Sequence, residues 1–119
     1  MEKQLNKSIL ITGCSTGIGA ALVMKFLKQG FLVFGSIRDK KLEAPLKKKY
    51  GDNFVPLVFD VTNYSQISKA YEKVKLTLKG ANLGILINNA GIAQLGPVEH
   101  IESEEFDLHL RTMVLGAFN

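Results

Sequence analysis

The chain has 119 residues, of which 46% are hydrophobic and 22% are charged. This composition is typical of one globular domain with its own core, and it excludes a disordered or fibrous chain. The formal net charge is +4, and much of the positive excess comes from Lys40, Lys41, Lys47, Lys48 and Lys49. Because no aromatic residues alternate with these lysines and no docking motif accompanies them, we interpret the cluster as a solvated helix face and predict no nucleic-acid partner.

The cysteine content and the length of the apolar runs indicate the expected location. Cys14 is the single cysteine, so the chain cannot form an internal disulfide, which fits a reducing compartment. The apolar stretch Ile9–Ile11 is too short for the hydrophobic region of a signal peptide. No run approaches the roughly 18 apolar residues of a membrane span. The sequence therefore predicts a cytoplasmic chain without a membrane-spanning segment.

Short apolar runs alternate with helical patterns along the chain, which is typical of parallel βαβ units. The predicted strands cover residues 8–12, 31–37, 54–60 and 83–88. The predicted helices cover residues 17–29, 40–50 and 65–79, and a last helix begins at Glu104. Because each strand is followed by a helix, the pattern predicts one α/β domain with a parallel sheet over residues 1–119.

Local signals set the expected helix ends and part of the expected core. Ser65 and Ser103 are the predicted N-caps of the last two helices. Tyr71 is predicted to be a core residue, because it shares the apolar face of its helix with Ile67, Ala70, Val74 and Leu78. The last helix has no stop signal before Asn119, so we expect a unit that is cut short at its C-terminal end.

A glycine-rich turn, Gly13-x-x-x-Gly17-x-Gly19, lies between the first predicted strand and the first predicted helix. Glycine reaches positive φ easily and lets a ligand approach the backbone closely. The helix that follows presents free N–H groups and a partial positive charge at its N-terminus. The turn therefore predicts a phosphate cradle, although its spacing is longer than the more common G-x-G-x-x-G of dinucleotide-binding proteins.

Three motifs at three strand ends give the chain a resemblance to a known family. The run from Thr12 to Gly19, the triplet Asp60-Val61-Thr62 and the run Asn88-Asn89-Ala90-Gly91 occur in this order. Together they resemble the cofactor motifs of short-chain dehydrogenases/reductases. The resemblance implies a Rossmann-like, doubly wound parallel sheet with strand order 3-2-1-4, of which this chain would be the N-terminal, cofactor-binding half. It also implies an oxidoreductase that interconverts a carbonyl and a secondary alcohol.

The resemblance implies which residues would bind the dinucleotide. The residues expected around the pyrophosphate and the adenosine ribose are Gly13, Ser15, Thr16, Gly17, Ile18 and Gly19. The residues expected at the adenine and toward the nicotinamide are Asp60 and Val61, then Asn88, Ala90 and Gly91. Ligands of open parallel sheets bind beyond the carboxyl ends of the strands, and the predicted positions of these residues agree with that rule.

The end of the second predicted strand indicates which nicotinamide cofactor is expected. An acidic residue there would accept a hydrogen bond from the ribose 2′-hydroxyl and repel a 2′-phosphate. This chain has Ile37 at that position and Arg38 next to it, and Asp39 is expected to point elsewhere. A guanidinium forms paired, charge-assisted hydrogen bonds with phosphate, so Arg38 favours NADP over NAD. The turn and this strand end also resemble the steroid- and retinoid-processing branch, which implies an apolar carbonyl or alcohol as small-molecule substrate.

The same segment allows a different interpretation. The run from Gly13 to Gly17 also matches the G-x-S-x-G nucleophile elbow of hydrolases, in which Ser15 would act with Asp60 and either His100 or His109. An elbow does not require a third glycine, and no further strand lies upstream of the first strand to supply an oxyanion hole. The two histidines have no cysteine or acidic partner at metal-ligand spacing, so no metal site is predicted.

Two further features concern catalysis. The spacing of Tyr71 and Lys75 matches the catalytic Y-x-x-x-K pair of the resembling family, but that pair follows the fifth strand and Tyr71 precedes the fourth. Members of the family carry a catalytic Asn three residues before the glycine that matches Gly116, and here that residue is Met113. No catalytic residue is therefore assigned to this chain. A non-catalytic dinucleotide-binding module stays an alternative, and a downstream Y-x-x-x-K would instead indicate an enzyme.

Half of a doubly wound sheet would leave apolar surface uncovered. The segment Leu83–Ile87 would form an edge strand with free backbone groups. The last helix would expose Leu108, Leu110, Val114 and Phe118. Such surfaces promote association, so we expect a marginally stable chain that is prone to form homo-oligomers or aggregates through this edge.

Overall fold

The computed structural model describes residues 6–119, and these residues form a four-stranded parallel sheet. The strands are β1 (Ser8–Ile11), β2 (Leu32–Ile37), β3 (Phe54–Val58) and β4 (Ile85–Ile87). They are hydrogen-bonded in the order β3-β2-β1-β4. The register places Ile9 opposite Val33 on one side and Ile85 on the other. The predicted α/β fold and its strand order are confirmed.

The helices follow the predicted sequence with adjusted ends. They are α1 (Gly17–Lys28), α2 (Glu43–Tyr50), α3 (Tyr64–Leu78), α4 (Ser103–Leu110) and α5 (Gly116–Phe118). A π-helical turn, Arg111–Leu115, joins α4 to α5. The predicted helix over residues 40–50 is divided, because the Asp39 carboxylate accepts the N–H of Lys41 and starts a separate 3₁₀ turn, Lys40–Leu42.

Helices α1 and α2 pack against one face of the sheet, which we call the closed face. Its buried cluster consists of Ile9, Ile11, Cys14, Val23, Val33 and Phe54, each fully buried. Side chains alternate between the two faces along a strand, so Ile9 and Ile11 point to the same side. The Phe54 ring fills the space over Gly35, where an added Cβ would lie 2.6 Å from it. This face is therefore packed tightly within the chain.

Helix α3 covers part of the opposite face, which we call the open face. Its buried cluster consists of Phe34, Leu57, Phe59, Val61, Ala70 and Val74. Beside this cluster, an apolar hollow of about 340 Å³ extends between α3, β4 and residues 116–119. Leu86 of β4 is 55% exposed there. The expected edge position of β4 is confirmed, and so is the exposure of Leu108, Leu110, Val114 and Phe118.

Three local predictions are wrong. Helix α3 is capped by Asn63 rather than Ser65, and the Asn63 side-chain oxygen accepts a first-turn backbone N–H at 3.0 Å. Asn and Ser are comparable N-caps, so propensity could not separate the two positions. Helix α4 begins at Ser103 itself, and Glu102 precedes it without a side-chain cap. Tyr71 is 60% exposed, because it borders the apolar hollow rather than a packed core.

Within residues 6–119, no helix is long and apolar enough to cross a membrane.

Candidate functional site

A polar cleft of about 320 Å³ opens at the carboxyl ends of the strands around β1. The chain order reverses there, since β2 and β4 flank β1 on opposite sides, and ligands of open parallel sheets bind at such a point. The volume lies within the range of small-molecule sites. The predicted site residues that line the cleft are Gly13, Ser15, Thr16, Ile18, Arg38, Asp60, Val61, Ala90 and Gly91.

The glycines of the turn meet two different requirements. Gly13 and Gly17 have φ of +72° and +60°, a conformation that favours glycine. A Cβ on Gly13 would also lie 2.8 Å from the Cα of Ala90, so the turn is in close contact with the loop after β4. Gly19 permits close packing within the turn, because a Cβ there would overlap the carbonyl oxygen of Gly13. Gly17 and Gly19 do not line the cleft.

Hydrogen bonds from both neighbouring strands hold this turn. On the β2 side, the hydroxyl of Ser36 accepts the N–H of Gly13 at 2.9 Å, and the Ser36 carbonyl accepts the N–H of Cys14 at 2.8 Å. On the β4 side, Nδ2 of Asn89 donates to the carbonyl oxygens of Thr12 and Gly13, each at 3.0 Å. The Thr12 hydroxyl accepts the N–H of Asn89 at 3.0 Å. The protein itself therefore fixes the turn's conformation.

Helix α1 begins beside the cleft. Its N-cap, Thr16, has an extended backbone, and within residues 6–119 no side chain caps the first turn. The first N–H groups of a helix have no intrahelical partner and carry a partial positive charge. Ser15, Thr16 and Ile18 line the cleft, so backbone donors and two hydroxyl groups lie close together. This arrangement suits an anionic ligand such as a phosphate group.

Arg38 and Asp60 supply opposite charges to the cleft. The Asp60 carboxylate accepts the backbone N–H of Thr62 at 2.8 Å and its hydroxyl at 2.7 Å. Partial burial acts to raise the pKa of Asp60, but these hydrogen bonds and the positive charge of Arg38 outweigh it and lower the pKa below its usual range. Asp60 is therefore ionised at neutral pH. Asp39 caps the 3₁₀ turn and does not line the cleft, as expected.

Cys14 lies within the glycine-rich turn but does not offer reactive chemistry. Its side chain is fully buried, and Sγ donates to the carbonyl of Ile11 at 3.0 Å. Burial raises the pKa of the Cys14 thiol to about 12. Since the thiolate is the nucleophile, this residue contributes packing to the turn rather than catalysis.

Besides Gly17 and Gly19, the structure separates Asn88 from the cleft, and it adds residues that were not predicted. Asn88 borders the apolar hollow, while Asn89 lines the cleft. Successive residues point to opposite sides at a strand end, so only one of the two asparagines can face each cavity. Ser36 and Thr112 also line the cleft, and the sequence prediction does not include them. A polar residue buried in an apolar strand needs a hydrogen-bond partner, and that signal could have identified Ser36.

The residues that the competing interpretations require are not all brought together in this cleft. Neither His100 nor His109 lines the cleft that contains Ser15 and Asp60, so the structure does not assemble a triad around Ser15. In residues 6–119, no cluster of three potential metal ligands occurs. The Tyr71 ring lies 5.3 Å from Nζ of Lys75, and both residues border the apolar hollow.

Met113 approaches the cleft from the last helical segment. A Cβ on Gly91 would lie 2.9 Å from Sδ of Met113, so the thioether packs directly on the loop after β4. Leu108 and Thr112 of the same segment line the cleft. A thioether has no donor and is a poor acceptor, so residue 113 supplies apolar contact rather than hydrogen bonding.

The comparison with known families agrees with this geometry. Residues 7–119 match the model of a family described as short chain dehydrogenase. The chain belongs to the short chain dehydrogenase family. The family match spans the turn after β1, the triplet after β3 and the asparagine-containing loop after β4, which are the three motifs that carried the resemblance.

Relatives of known structure or activity are longer than this chain. The NADPH-dependent 3-dehydrocapnine reductase of Ornithobacterium rhinotracheale is 43% identical over 96 residues, which is 81% of this chain and 34% of that protein. The NADPH-bound carbonyl reductase from chicken fatty liver has a TM-score of 0.84 and 29% identity, over 94% of this chain and 44% of its own. The 3-ketoacyl-(acyl-carrier-protein) reductase from Brucella melitensis, complexed with NADH, has a TM-score of 0.84 and 26% identity, over 93% and 45%. The chain thus spans less than half of the length of each of these proteins.

Proposed function

We propose that this chain is the NADP(H)-binding portion of an oxidoreductase that interconverts a carbonyl compound, preferably an apolar one, and a secondary alcohol. The observation that carries the proposal is that Arg38 and the glycine-rich turn line the same cleft. The turn and the N-terminus of α1 suit a diphosphate, and a guanidinium suits a further phosphate. Two of the relatives above bind or depend on NADPH, which supports this choice, while a third was crystallised with NADH.

The residues of the cleft would bind and orient the dinucleotide. Gly13 lets the pyrophosphate approach the backbone, and the hydroxyls of Ser15 and Thr16 can donate to phosphate oxygens. Asp60 stays ionised and can accept a hydrogen bond from the exocyclic amine of adenine, beside the apolar Val61. When bound, the cofactor supplies or accepts the hydride. The part played by Asn88 stays a prediction, since Asn89 is the asparagine that borders the cleft.

Fluorescence titration with NADPH and NADH tests the choice of cofactor. We expect the unmodified chain to bind NADPH more tightly. Arg38→Glu should weaken NADPH binding by about 10- to 100-fold, because a hydrogen bond to a charged group contributes about 1.5–3 kcal/mol, and should change NADH binding little. Lys48→Glu makes the same charge change at an exposed position of α2 and should leave both affinities unchanged. Equal affinity for the two cofactors before and after the Arg38 change would contradict the NADP assignment.

A second candidate is a non-catalytic dinucleotide-binding module, which Met113 favours. The family resemblance leads us to expect an Asn at this position, and the structure places a thioether against Gly91 instead. General acid–base catalysis contributes about 10²–10⁴-fold to a rate, so loss of the groups that position a proton would be measurable. An assay of the complete gene product with NADPH and apolar ketones separates the two candidates: oxidation of NADPH supports the enzyme, and binding without oxidation supports the module.

A further inference from the structure

Ser36 has an unusual position for a serine in this sheet. It lies near the end of β2, and the residue is only 2% exposed. Its hydroxyl accepts the N–H of Gly13 at 2.9 Å, and its carbonyl accepts the N–H of Cys14 at 2.8 Å. One residue of the neighbouring strand therefore fixes two consecutive amides of the glycine-rich turn.

The Ser36 hydroxyl holds Gly13, a residue whose backbone conformation needs to be fixed by its neighbours. Gly13 has a φ of +72°, and glycine has more backbone freedom to lose than any other residue. Its carbonyl oxygen is held from the β4 side by Nδ2 of Asn89 at 3.0 Å. The Ser36 hydroxyl completes this arrangement by accepting the N–H of the same residue from the β2 side. Without it, the N–H of Gly13 would lose its partner in a part-buried position, and the turn could relax toward other conformations.

Ser36 also lines the cleft, two residues before Arg38. Ser36 and the turn that it holds therefore both lie beside the proposed ligand, so a change in the turn should affect binding. We propose that Ser36 is a positioning residue for the dinucleotide: its hydroxyl holds Gly13 in the conformation that receives the diphosphate. This inference rests on the proposed function, since it concerns the same cleft. It assigns the effect to the turn, which is common to NADPH and NADH, and not to a contact with the 2′-phosphate.

The chain contains a matched control for the loss of this hydrogen bond. Ser8, at the start of β1, is 4% exposed. Its hydroxyl accepts the N–H of Gly84 at 3.1 Å. This bond has the same chemistry, a buried serine hydroxyl holding a glycine amide, but it lies at the amino end of the sheet, opposite the cleft. Ser8→Ala therefore measures the structural cost alone.

The experiment compares cofactor affinity with stability in the variants Ser36→Ala, Ser36→Thr and Ser8→Ala. Dissociation constants for NADPH and NADH are measured by fluorescence titration, and the unfolding midpoint is measured by circular dichroism. We expect Ser36→Ala to weaken the binding of both cofactors by about tenfold, the equivalent of one neutral hydrogen bond. Ser36→Thr keeps the hydroxyl and should restore most of the affinity. Ser8→Ala should lower the midpoint and leave both dissociation constants unchanged.

Other results would overturn the inference. If Ser36→Ala lowers the midpoint but binds both cofactors as the unmodified chain does, Ser36 is merely structural. If only NADPH binding weakens, Ser36 contacts the 2′-phosphate directly and does not act through Gly13. If Ser36→Ala does not fold, Ser36→Cys replaces it, because a thiol fills similar space and accepts hydrogen bonds only weakly. Unchanged affinity of the Ser36→Cys variant for both cofactors would equally overturn the inference. An unmodified chain that binds neither cofactor would instead refute the proposed function itself.

Discussion

The two faces of the sheet differ in how fully the helices cover them. On the closed face, α1 and α2 bury Val33, Phe54 and their neighbours completely. On the open face, α3 covers only part of the sheet, and Leu86 stays more than half exposed beside the apolar hollow. The glycine-rich turn belongs to the closed side, since Cys14 is a member of the closed-face cluster. The glycine-rich turn is therefore supported by the fully packed face of the sheet, although the opposite face is only partly covered.

The difference between the two faces predicts that alanine substitutions on each face change the free energy of unfolding by very different amounts. Phe54→Ala should lower the free energy of unfolding by about 3–5 kcal/mol, as expected for a buried aromatic residue that leaves a cavity. Leu86→Ala, on the open face, should change it by less than about 0.5 kcal/mol. Urea unfolding followed by circular dichroism measures both, and the milder Phe54→Leu is available if the alanine variant is too unstable.

A similar loss of stability in both variants would break the distinction between the faces. It would mean that Leu86 is buried in solution, for instance by a second copy of the chain. In that case the unfolding midpoint of the unmodified chain should rise with protein concentration. A midpoint that does not depend on concentration, together with a neutral Leu86→Ala, would confirm that the open face is exposed.

A smaller effect is expected at the start of the helix that covers the open face. Asn63→Ala removes the side-chain cap of α3 and should lower the free energy of unfolding by about 1 kcal/mol. Ser65→Ala, at an exposed position two residues later, should be neutral within about 0.5 kcal/mol. Thermal unfolding of the two variants compares them directly, and the opposite order would restore Ser65 as the cap.

The smallest effect concerns the two charged residues that line the cleft. The pKa of Asp60 is lowered in the folded chain, so its contribution to stability is present above the usual carboxyl pKa of about 4 and is lost as the pH falls through the folded value. Arg38→Gln removes one cause of the lowering and should raise the pKa of Asp60. Carbon-13 NMR titration of its carboxyl group measures the change, with Lys48→Gln as the control. A pKa that does not move would show that Arg38 and Asp60 do not interact.

Much of the fold could be predicted from the sequence because its signals are local. Alternation of apolar runs and helical patterns located all four strands, and the glycines of the turn located the cleft. Strand order came from the resemblance, and the pairing of β1 with both β2 and β4 confirms it. The caps of α3 and α4 were predicted wrongly, because several neighbouring residues have similar capping ability and only the helix geometry selects one.

The remaining errors depend on contacts between distant segments. Tyr71 has the spacing of a core residue, but its burial depends on what covers the open face, and no pattern within α3 contains that information. Asn88 and Asn89 are adjacent and chemically equal, so only the register of β4 determines which one faces the cleft. Ser36 acts through a hydrogen bond to Gly13, 23 residues earlier in the chain, and a motif confined to one loop cannot show such a contact.

The state of the Cys14 thiol has a consequence for the chain under oxidative conditions. Peroxide attacks thiolates that solvent can reach, and Cys14 is neither ionised at cellular pH nor accessible. Oxidation to a sulfenic or sulfinic acid would require prior opening of the closed-face cluster. The turn that carries this residue is therefore expected to survive oxidant exposure for as long as the domain stays folded, and damage at this sulfur would report that unfolding came first.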